Sequence, residues 1–400
     1  MENPFEFHEE DTIIACVGDN GGTTDEDIRN GFKRTVELLT ESLKTGSEVE
    51  DLLVYPIVYN ARHSIELSLK IVIKMLWRIE EKKGICYSEE VLKERKKELH
   101  THSIECLYKL ACDKKNIDRR IPAYFENIED MIYFYYEEGD AFKYELNKED
   151  EPHMIKNKIS HVSIELLETE FKEVMKKFDD LIYFLDNCIF EYSLGTFTKS
   201  LSRADIWDIS KRLPVYEEWR TEKFKEVKDE IKQEYHLGSK EFSDAVNLIK
   251  ENREFSVNIG CEKVFGSITE NELKEYASLV RYYSEKSKSD NKGKEIGFDL
   301  RKIQKNGEIL KKYLSSISMN TLNTLLCFSE MSNSFLAVEH LEEVHDDIVS
   351  KAFDGTYLIR KLKQRNICLR ILYGMKKCGQ VTYAKQLSAA LEQEGVELTL

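Results

Sequence analysis

Two short stretches hold most of the side chains in this chain that could act together chemically. The first, Tyr59-Asn60-Ala61-Arg62-His63-Ser64-Ile65-Glu66-Leu67-Ser68-Leu69-Lys70, sets an imidazole and a carboxylate at i and i+3. It also sets a guanidinium, a carboxylate and an ammonium at i, i+4 and i+8. The second, His100-Thr101-His102-Ser103-Ile104-Glu105-Cys106-Leu107-Tyr108-Lys109-Leu110-Ala111, opens with two imidazoles. His63 and Glu66 beside Arg62 have the makings of an acid/base pair next to a fixed positive charge. The same row has a plainer reading. Arg62 and Lys70 flanking Glu66 form a solvated ladder that stabilises a helix by roughly 0.2–0.5 kcal/mol per pair, and His63–Glu66 is then a polar contact within or between helices.

The elements that position these groups are helical. Ala61, Ile65 and Leu69, continued by Val72 and Leu76, form an apolar stripe on one face of a helix running from about Val54 through Glu81, with Pro56 in its first turn and Gly84 ending it. Helices over Ser88–Glu98 and Ser103–Ala111 follow. Upstream, Thr24-Asp25-Glu26-Asp27 is a capped, acidic helix start, with Ile28, Phe32, Val36 and Leu39 on one face. Downstream, Tyr124–Tyr136 is dense in aromatics, which fill a core or stack on bases. The turn Glu138-Gly139-Asp140 follows it. Over Ile159–Ser193 a strong stripe runs through Ile164, Leu167, Phe171, Val174, Phe178, Leu181, Leu185 and Ile189.

The pattern breaks at Ser193–Ser202, an expected domain end. Trp219–Tyr235 reads as a charged helix on the surface or a spacer, and Phe255–Ile259 as a short strand or extended loop. Thr269-Glu270-Asn271-Glu272 has the spacing of a capping box. Ser284–Glu295 contains no apolar residue and reads as a linker; Ile309–Leu326 and Phe335–Phe353 read as helices, with Gly355 stopping the second. The expected organisation is all-α: an irregular segment over 1–25, a helical bundle over 26–200, a charged helical connector over 201–290 and a C-terminal helical region over 291–400.

Composition sets bounds on function. The 400 residues carry a net charge of −15, which opposes polyanion binding by the protein as a whole and confines any nucleic-acid contact to a local patch. Nine scattered cysteines, without a Cys-x-x-Cys pair, read as reduced thiols of a cytoplasmic, soluble protein, and no metal site is expected. No apolar run approaches membrane-spanning length, and Met1–Glu10 lacks the features of a signal peptide. Gly18-Asp19-Asn20-Gly21-Gly22-Thr23-Thr24 lacks the Gly-Lys-Ser/Thr ending of a phosphate loop and reads as a turn, so no cofactor is expected.

Against this acidic background, Arg360 to Lys377 holds seven basic residues and no acid: Arg360, Lys361, Lys363, Arg365, Arg370, Lys376 and Lys377. They suit an acidic partner, an acidic face of the same chain or an RNA backbone. Gln380–Leu387 with Leu391, entered from Gly379, has a faint likeness to the second helix of a helix-turn-helix, which offers a DNA-binding alternative.

The paired segments resemble the HEPN family (higher eukaryotes and prokaryotes nucleotide-binding). Its members carry Ala-Arg-x-Ser/Ala-x-Glu-Leu-x-Leu-Lys on an early helix, a His-x-His-x-x-x-x-Leu-like opening of a later one, and an aromatic helix ending near Phe-Arg-Tyr. Here these are Ala61–Lys70, His100–Leu107 and Phe142-Lys143-Tyr144, a resemblance covering roughly residues 30–195. It implies an up-and-down helical bundle, often a homodimer, acting in a prokaryotic antiviral defence or toxin system as a module that binds RNA or nucleotide, or that holds a partner protein in a multi-subunit complex. In active members it implies metal-independent RNA cleavage by an Arg-x₄–₆-His pair: an imidazole takes the ribose 2′-hydroxyl proton while a guanidinium neutralises the phosphate. That spacing occurs here at Arg95 to His100, and at Arg95 to His102 with two further residues, earlier in the domain than in active members. Arg95, His100, His102, Arg62, His63 and Glu66 are therefore the candidate catalytic residues.

Overall fold

The computed structural model describes residues 9, 12–136, 142, 152, 159–290 and 300–396, and of 286–290 and 300–306 the backbone alone. Contacts divide the chain into two compact units between Gly195 and Thr196. All regular structure among the described residues is helical. None of these helices is long and apolar enough to cross a membrane.

The first unit holds α1 (Asp25–Lys44), α2 (Glu50–Lys82), α3 (Glu89–Leu99), α4 (Ile104–Lys114), the short α5 (Ile128–Ile132) and α6 (Ile164–Ser193). α2 is its axis and packs against α1, α4 and α6. Ala61, Ile65, Leu69, Val72 and Leu76 are all fully buried along it, as their spacing predicts. Each such side chain taken out of water contributes about 1.5–3 kcal/mol, so this stripe decides which way α2 faces. α2 begins earlier than expected, at Glu50, so Pro56 lies inside it, where its ring nitrogen has no hydrogen to donate.

α1 starts with a reciprocal cap. Thr24 Oγ1 accepts from the Asp27 amide at 3.2 Å, and Asp27 Oδ2 accepts from the Thr24 amide at 2.8 Å. Its buried face differs from the expected Ile28–Phe32–Val36–Leu39 stripe: Ile28 is half exposed, and Arg29 is buried instead. Arg29 donates from Nε to Ser68 Oγ (2.7 Å), from Nη1 to Asn30 Oδ1 (3.2 Å) and from Nη2 to Asp179 Oδ1 (2.5 Å). A guanidinium bonded through all three nitrogens can be buried at little cost, and this one ties α1 to both α2 and α6.

The second unit holds α7 (Arg203–Arg212), α8 (Glu222–Glu234), α9 (Ser239–Glu251), α10 (Arg253–Ser256), α11 (Glu270–Asp290), α12 (Leu300–Ser316), α13 (Met319–Met331), α14 (Leu341–Ser350), α15 (Gly355–Leu362), α16 (Arg365–Lys377) and α17 (Val381–Gln393). Within the stretch expected as a connector, residues 201–261 enclose an apolar cluster that includes Ile206, Ile209, Phe242, Phe255 and Ile259. α8 buries Ile231 and keeps its charged faces outward. α11 instead joins a larger core with α13, α16 and α17, built on Tyr276, Phe328, Ile371 and Leu387.

Local hydrogen bonds explain where the sequence misled. Phe255–Ile259 is helical rather than extended because Asn252 Oδ1 accepts from the amides of Glu254 (3.0 Å) and Phe255 (3.2 Å), turning the chain so that Phe255 and Ile259 both face inward. The single helix expected over Ile309–Leu326 breaks at Ser318, whose hydroxyl caps α13. Glu272, which also caps its own helix through Thr269, accepts from the Ser318 amide (3.0 Å) and hydroxyl (2.7 Å). Burial raises the Glu272 carboxyl, but these donors outweigh it and hold it at about 2. Of Phe335–Phe353 only Leu341–Ser350 is α-helical, and Gly355 opens α15 rather than stopping a helix, because Asp354 Oδ1 accepts from the Tyr357 amide. α11 continues through Asp290, into the expected linker, whose residues 291–299 lie outside the described residues. So do the Glu138-Gly139-Asp140 turn, and Lys143 and Tyr144 of the aromatic motif.

Candidate functional site

The Ser103 hydroxyl caps α4 by accepting from the Cys106 amide at 3.3 Å, which leaves His102 as the last residue before the cap. Packing of α4 against α2 then brings His102 to the polar row of α2. Arg62 Nη2 donates to the His102 carbonyl at 2.7 Å. Glu66 Oε1 lies 2.9 Å from His102 Nδ1 and accepts from Lys70 Nζ at 2.8 Å. Its Oε2 is 3.6 Å from Arg62 Nη1 and 3.9 Å from His63 Nδ1, both beyond hydrogen-bond reach but close enough for charge to act. His63 is held by rings: Phe32 meets it edge-on, with centroids 4.4 Å apart, and Tyr59 lies parallel at 6.0 Å. Four of the six expected catalytic residues, Arg62, His63, Glu66 and His102, thus form one cluster.

Glu66 is its electrostatic centre, with 2% of its side chain exposed. Burial pushes its carboxyl up, but the facing His63, Lys70 and His102 side chains, and the Lys70 charge, outweigh burial and hold it at about 2. At neutral pH it is therefore a carboxylate that can only accept, so the hydrogen shared with His102 sits on Nδ1. In the neutral form of the ring the other nitrogen, Nε2, is then an acceptor, and the side chain is 79% exposed. A carboxylate orienting an imidazole with its second nitrogen outward is the geometry of a general base.

Arg62 takes a different part from the expected one. It is buried, with one guanidinium nitrogen on the His102 carbonyl and another facing Glu66, so it positions the dyad rather than reaching toward a phosphate. Lys70, at i+4 from Glu66, belongs to the cluster although sequence reasoning left it in the charge ladder. The spacing was the available signal. The contribution of Phe32, on a separate helix, left none.

Arg95 and His100, the pair with the active-family spacing, are not brought together. Arg95 is buried, with Nη2 2.8 Å from Glu80 Oε2, an ion pair outside hydrogen-bond alignment, and its guanidinium packs 3.7 Å from the Tyr87 ring centroid and 5.1 Å from that of Trp77. His100 is the exposed C-terminal cap of α3. The reason is helical phase: the residues that turn Arg95 toward α2 leave position 100 on the outer side. Because Lys114 also reaches Glu80, at 3.2 Å, the pair is a structural anchor. Arg95→Ala should lower stability by about 3 kcal/mol, as expected when a buried carboxylate loses a partner. Urea unfolding of the variant beside the parent checks this.

A second charged feature of this unit is an open cleft of about 570 Å³ between α1 and α6, lined by Arg29, Lys33, Arg34, Glu37, Asp179 and Tyr183 among others. Its cations already pair within the cleft: Lys33 donates to Asp179 at 2.7 Å and Arg34 to Glu37 at 2.8 Å. Among the described residues, no three His, Cys, Asp or Glu side chains converge as metal ligands would.

In the second unit six of the seven expected nucleic-acid contacts lie on α15 or α16, and Lys363 lies in the break between them after Leu362. Arg360 and Lys361 are exposed on α15, the latter 5.8 Å from the Tyr357 ring centroid; Lys363 lies over Tyr283 at 4.2 Å, and Arg365 is half-buried. On α16, Arg370 Nε donates to Ser332 Oγ at 3.0 Å and Lys376 is exposed. Lys377 donates to the carbonyls of Asn333 (2.6 Å) and Leu336, and burial holds its amine below the usual lysine range.

The helix-turn-helix alternative meets a local obstacle. Glu262 accepts from the Thr382 amide (2.9 Å) and hydroxyl (2.5 Å), placing a carboxylate at the start of α17, where a recognition helix presents its first residues to base edges. Comparison of the chain with protein-family models, with curated proteins and with solved structures returns no match.

Proposed function

We propose that the first unit is an HEPN-like RNA-binding module of a prokaryotic antiviral defence or toxin system. The observation that supports this reading is the meeting of the two polar segments: the Arg62–Lys70 row of α2 and His102 at the head of α4 share one carboxylate, Glu66, and present one imidazole outward. The family and its biological setting rest on the sequence resemblance.

The Glu66–His102 dyad favours a second reading, metal-independent endoribonuclease. In it, His102 Nε2 takes the proton of a ribose 2′-hydroxyl and the 2′-oxygen attacks the adjacent phosphorus. The phosphorus–O5′ bond then breaks, leaving a 2′,3′-cyclic phosphate and, once O5′ is protonated, a 5′-hydroxyl end. Glu66 keeps the ring oriented and stabilises the imidazolium that forms.

The test is incubation of the full chain with total RNA in EDTA, beside a titration of labelled single-stranded RNA. Replacing His102 by alanine should reduce cleavage about 100-fold or more, the usual range for losing a positioned base. Glu66 loses one hydrogen bond but keeps Lys70 and faces Arg62, so stability should fall by only about 1–2 kcal/mol and cleavage is compared per folded molecule. Cleavage that persists in the variant removes the nuclease reading, and absence of both cleavage and salt-dependent RNA affinity removes the module reading as well.

A further inference from the structure

The second unit presents two large aromatic rings to solvent at one place on its surface. Phe335 is 81% exposed and Tyr373 60% exposed. Neither sits on a loose segment. The Phe335 amide donates to Asn333 Oδ1 at 3.0 Å, and the Leu336 amide to the Asn333 carbonyl at 3.2 Å, so the backbone around the ring is a closed turn. α16 clamps that turn at two points: Lys377 Nζ holds the Asn333 and Leu336 carbonyls, and Arg370 Nε holds Ser332 Oγ. Tyr373 lies on α16 between these clamps, at i+3 from Arg370, with Lys377 at i+4 beyond it and exposed Lys376 at i+3.

The surface therefore combines two solvent-exposed rings, one on a clamped turn and one on α16, with three cations in a chain whose net charge is −15. Two acids border it: Glu330 lies 3.7 Å from Arg370 Nη2, and the Glu254 charge acts on Lys377, which is already committed to the turn. Cations alone would suit any acidic partner. Solvent-exposed rings beside them suit a single strand, whose bases offer a π-face at each step while its phosphates need neutralising. A duplex hides those faces, and Glu262 seals the start of α17 against groove entry.

We infer that Phe335, Tyr373, Arg370 and Lys376 form a stacking platform for single-stranded RNA, separate from the Glu66–His102 cluster. The inference rests on the RNA-directed reading of the protein and assigns the second unit a part in holding the strand. Phe335 and Tyr373 stack on bases, Arg370 and Lys376 neutralise phosphates, and Lys377 keeps the turn in place.

The experiment uses the full chain carrying His102→Ala, so that cleavage does not confound binding, and a labelled oligouridylate of about 12 nucleotides, long enough to cross such a platform. Phe335→Ala and Tyr373→Ala should each weaken binding about tenfold, within the range for losing one stacked base. Tyr373→Phe should bind like the parent, which separates stacking from a hydroxyl contact. Lys376→Gln should reduce the slope of log affinity against log salt by about 0.7, the value for one phosphate contact on a single strand. Unchanged affinity in both alanine variants overturns the inference. So does equal competition by poly-glutamate, which would mark a site for acidic peptide, or equal binding of a duplex. The cluster on α2 is read out independently by cleavage in the chain with native His102, so its failure would leave these affinity ratios interpretable.

Discussion

Glu66→Gln should destabilise the first unit by about 3 kcal/mol at pH 7, because it removes the one buried charge that Lys70, Arg62 and His102 share and leaves buried Arg62 and half-buried Lys70 without their counter-charge. The substitution keeps the side chain's shape, so the loss is electrostatic rather than a cavity. If the amide keeps its oxygen toward Lys70 and His102, which share Oε1, its NH2 takes the Oε2 place and turns a donor toward Arg62, where only an acceptor serves.

The wild-type pH dependence carries the same information. The Glu66 carboxyl is held at about 2 in the folded chain against a reference value of 4.5, so its folded pKa is depressed. A depressed carboxyl contributes stability above its unfolded pKa and loses it as pH falls through its folded one. The contribution should therefore be complete at neutral pH and should fade between roughly pH 4.5 and pH 2, amounting to about 3 kcal/mol over that window. Urea unfolding at pH 6, 4 and 3 checks this: the wild-type curve should fall toward that of the variant. Parallel curves would mean that the carboxylate is not the electrostatic centre described. If His102 is a general base, Glu66→Gln should also reduce cleavage, since the ring loses the partner that fixes its tautomer.

Gly374→Ala should have a comparable effect on the second unit, about 3 kcal/mol or more, by a different route. A Cβ built on Gly374 would lie 1.8 Å from the Phe328 carbonyl oxygen and 2.7 Å from its carbon. α13 and α16 touch there backbone to backbone, and a carbonyl inside a helix cannot rotate away as a side chain can. The helices would have to separate, opening the packing of Phe328, Ile371 and Met375, all fully buried. Forced overpacking costs about 1–3 kcal/mol where side chains can yield, and more where only backbone can. Gly307→Ala is the control: α12 has room for the added Cβ, nothing lying within 4 Å. It should be neutral or gain up to about 1 kcal/mol from helix propensity. Tryptophan fluorescence during urea unfolding, with Trp207 and Trp219 reporting from the second unit, distinguishes the two variants.

Much of the helical content was legible in the sequence because burial on a helix repeats with the helix. The stripe through Ala61, Ile65, Leu69, Val72 and Leu76 on α2 is buried throughout, as are Phe171 to Leu185 of the stripe on α6. Caps at Thr24 and Thr269 were legible because a hydroxyl and an acid three residues apart can satisfy each other locally. Where the sequence misled, the deciding group came from elsewhere in the chain or from one polar atom. Ser318 ends a helix with help from Glu272, Arg29 rotates α1 by finding Asp179, and Asn252 turns a β-like alternation into a helix.

The candidate site divides in the same way. Residue types and short-range spacing determined that Arg62, Glu66 and Lys70 would share one helical row and that His102 would stand at the head of another helix. Only the tertiary structure decided that the row and the imidazole meet at one carboxylate, that Arg62 is turned inward to hold a backbone carbonyl, and that Arg95 and His100 part company. The physical reason is that periodicity specifies which side of a helix is dry. Which charge faces which is set by the angle and phase at which two dry faces pack, and that is a property of the whole unit rather than of either segment.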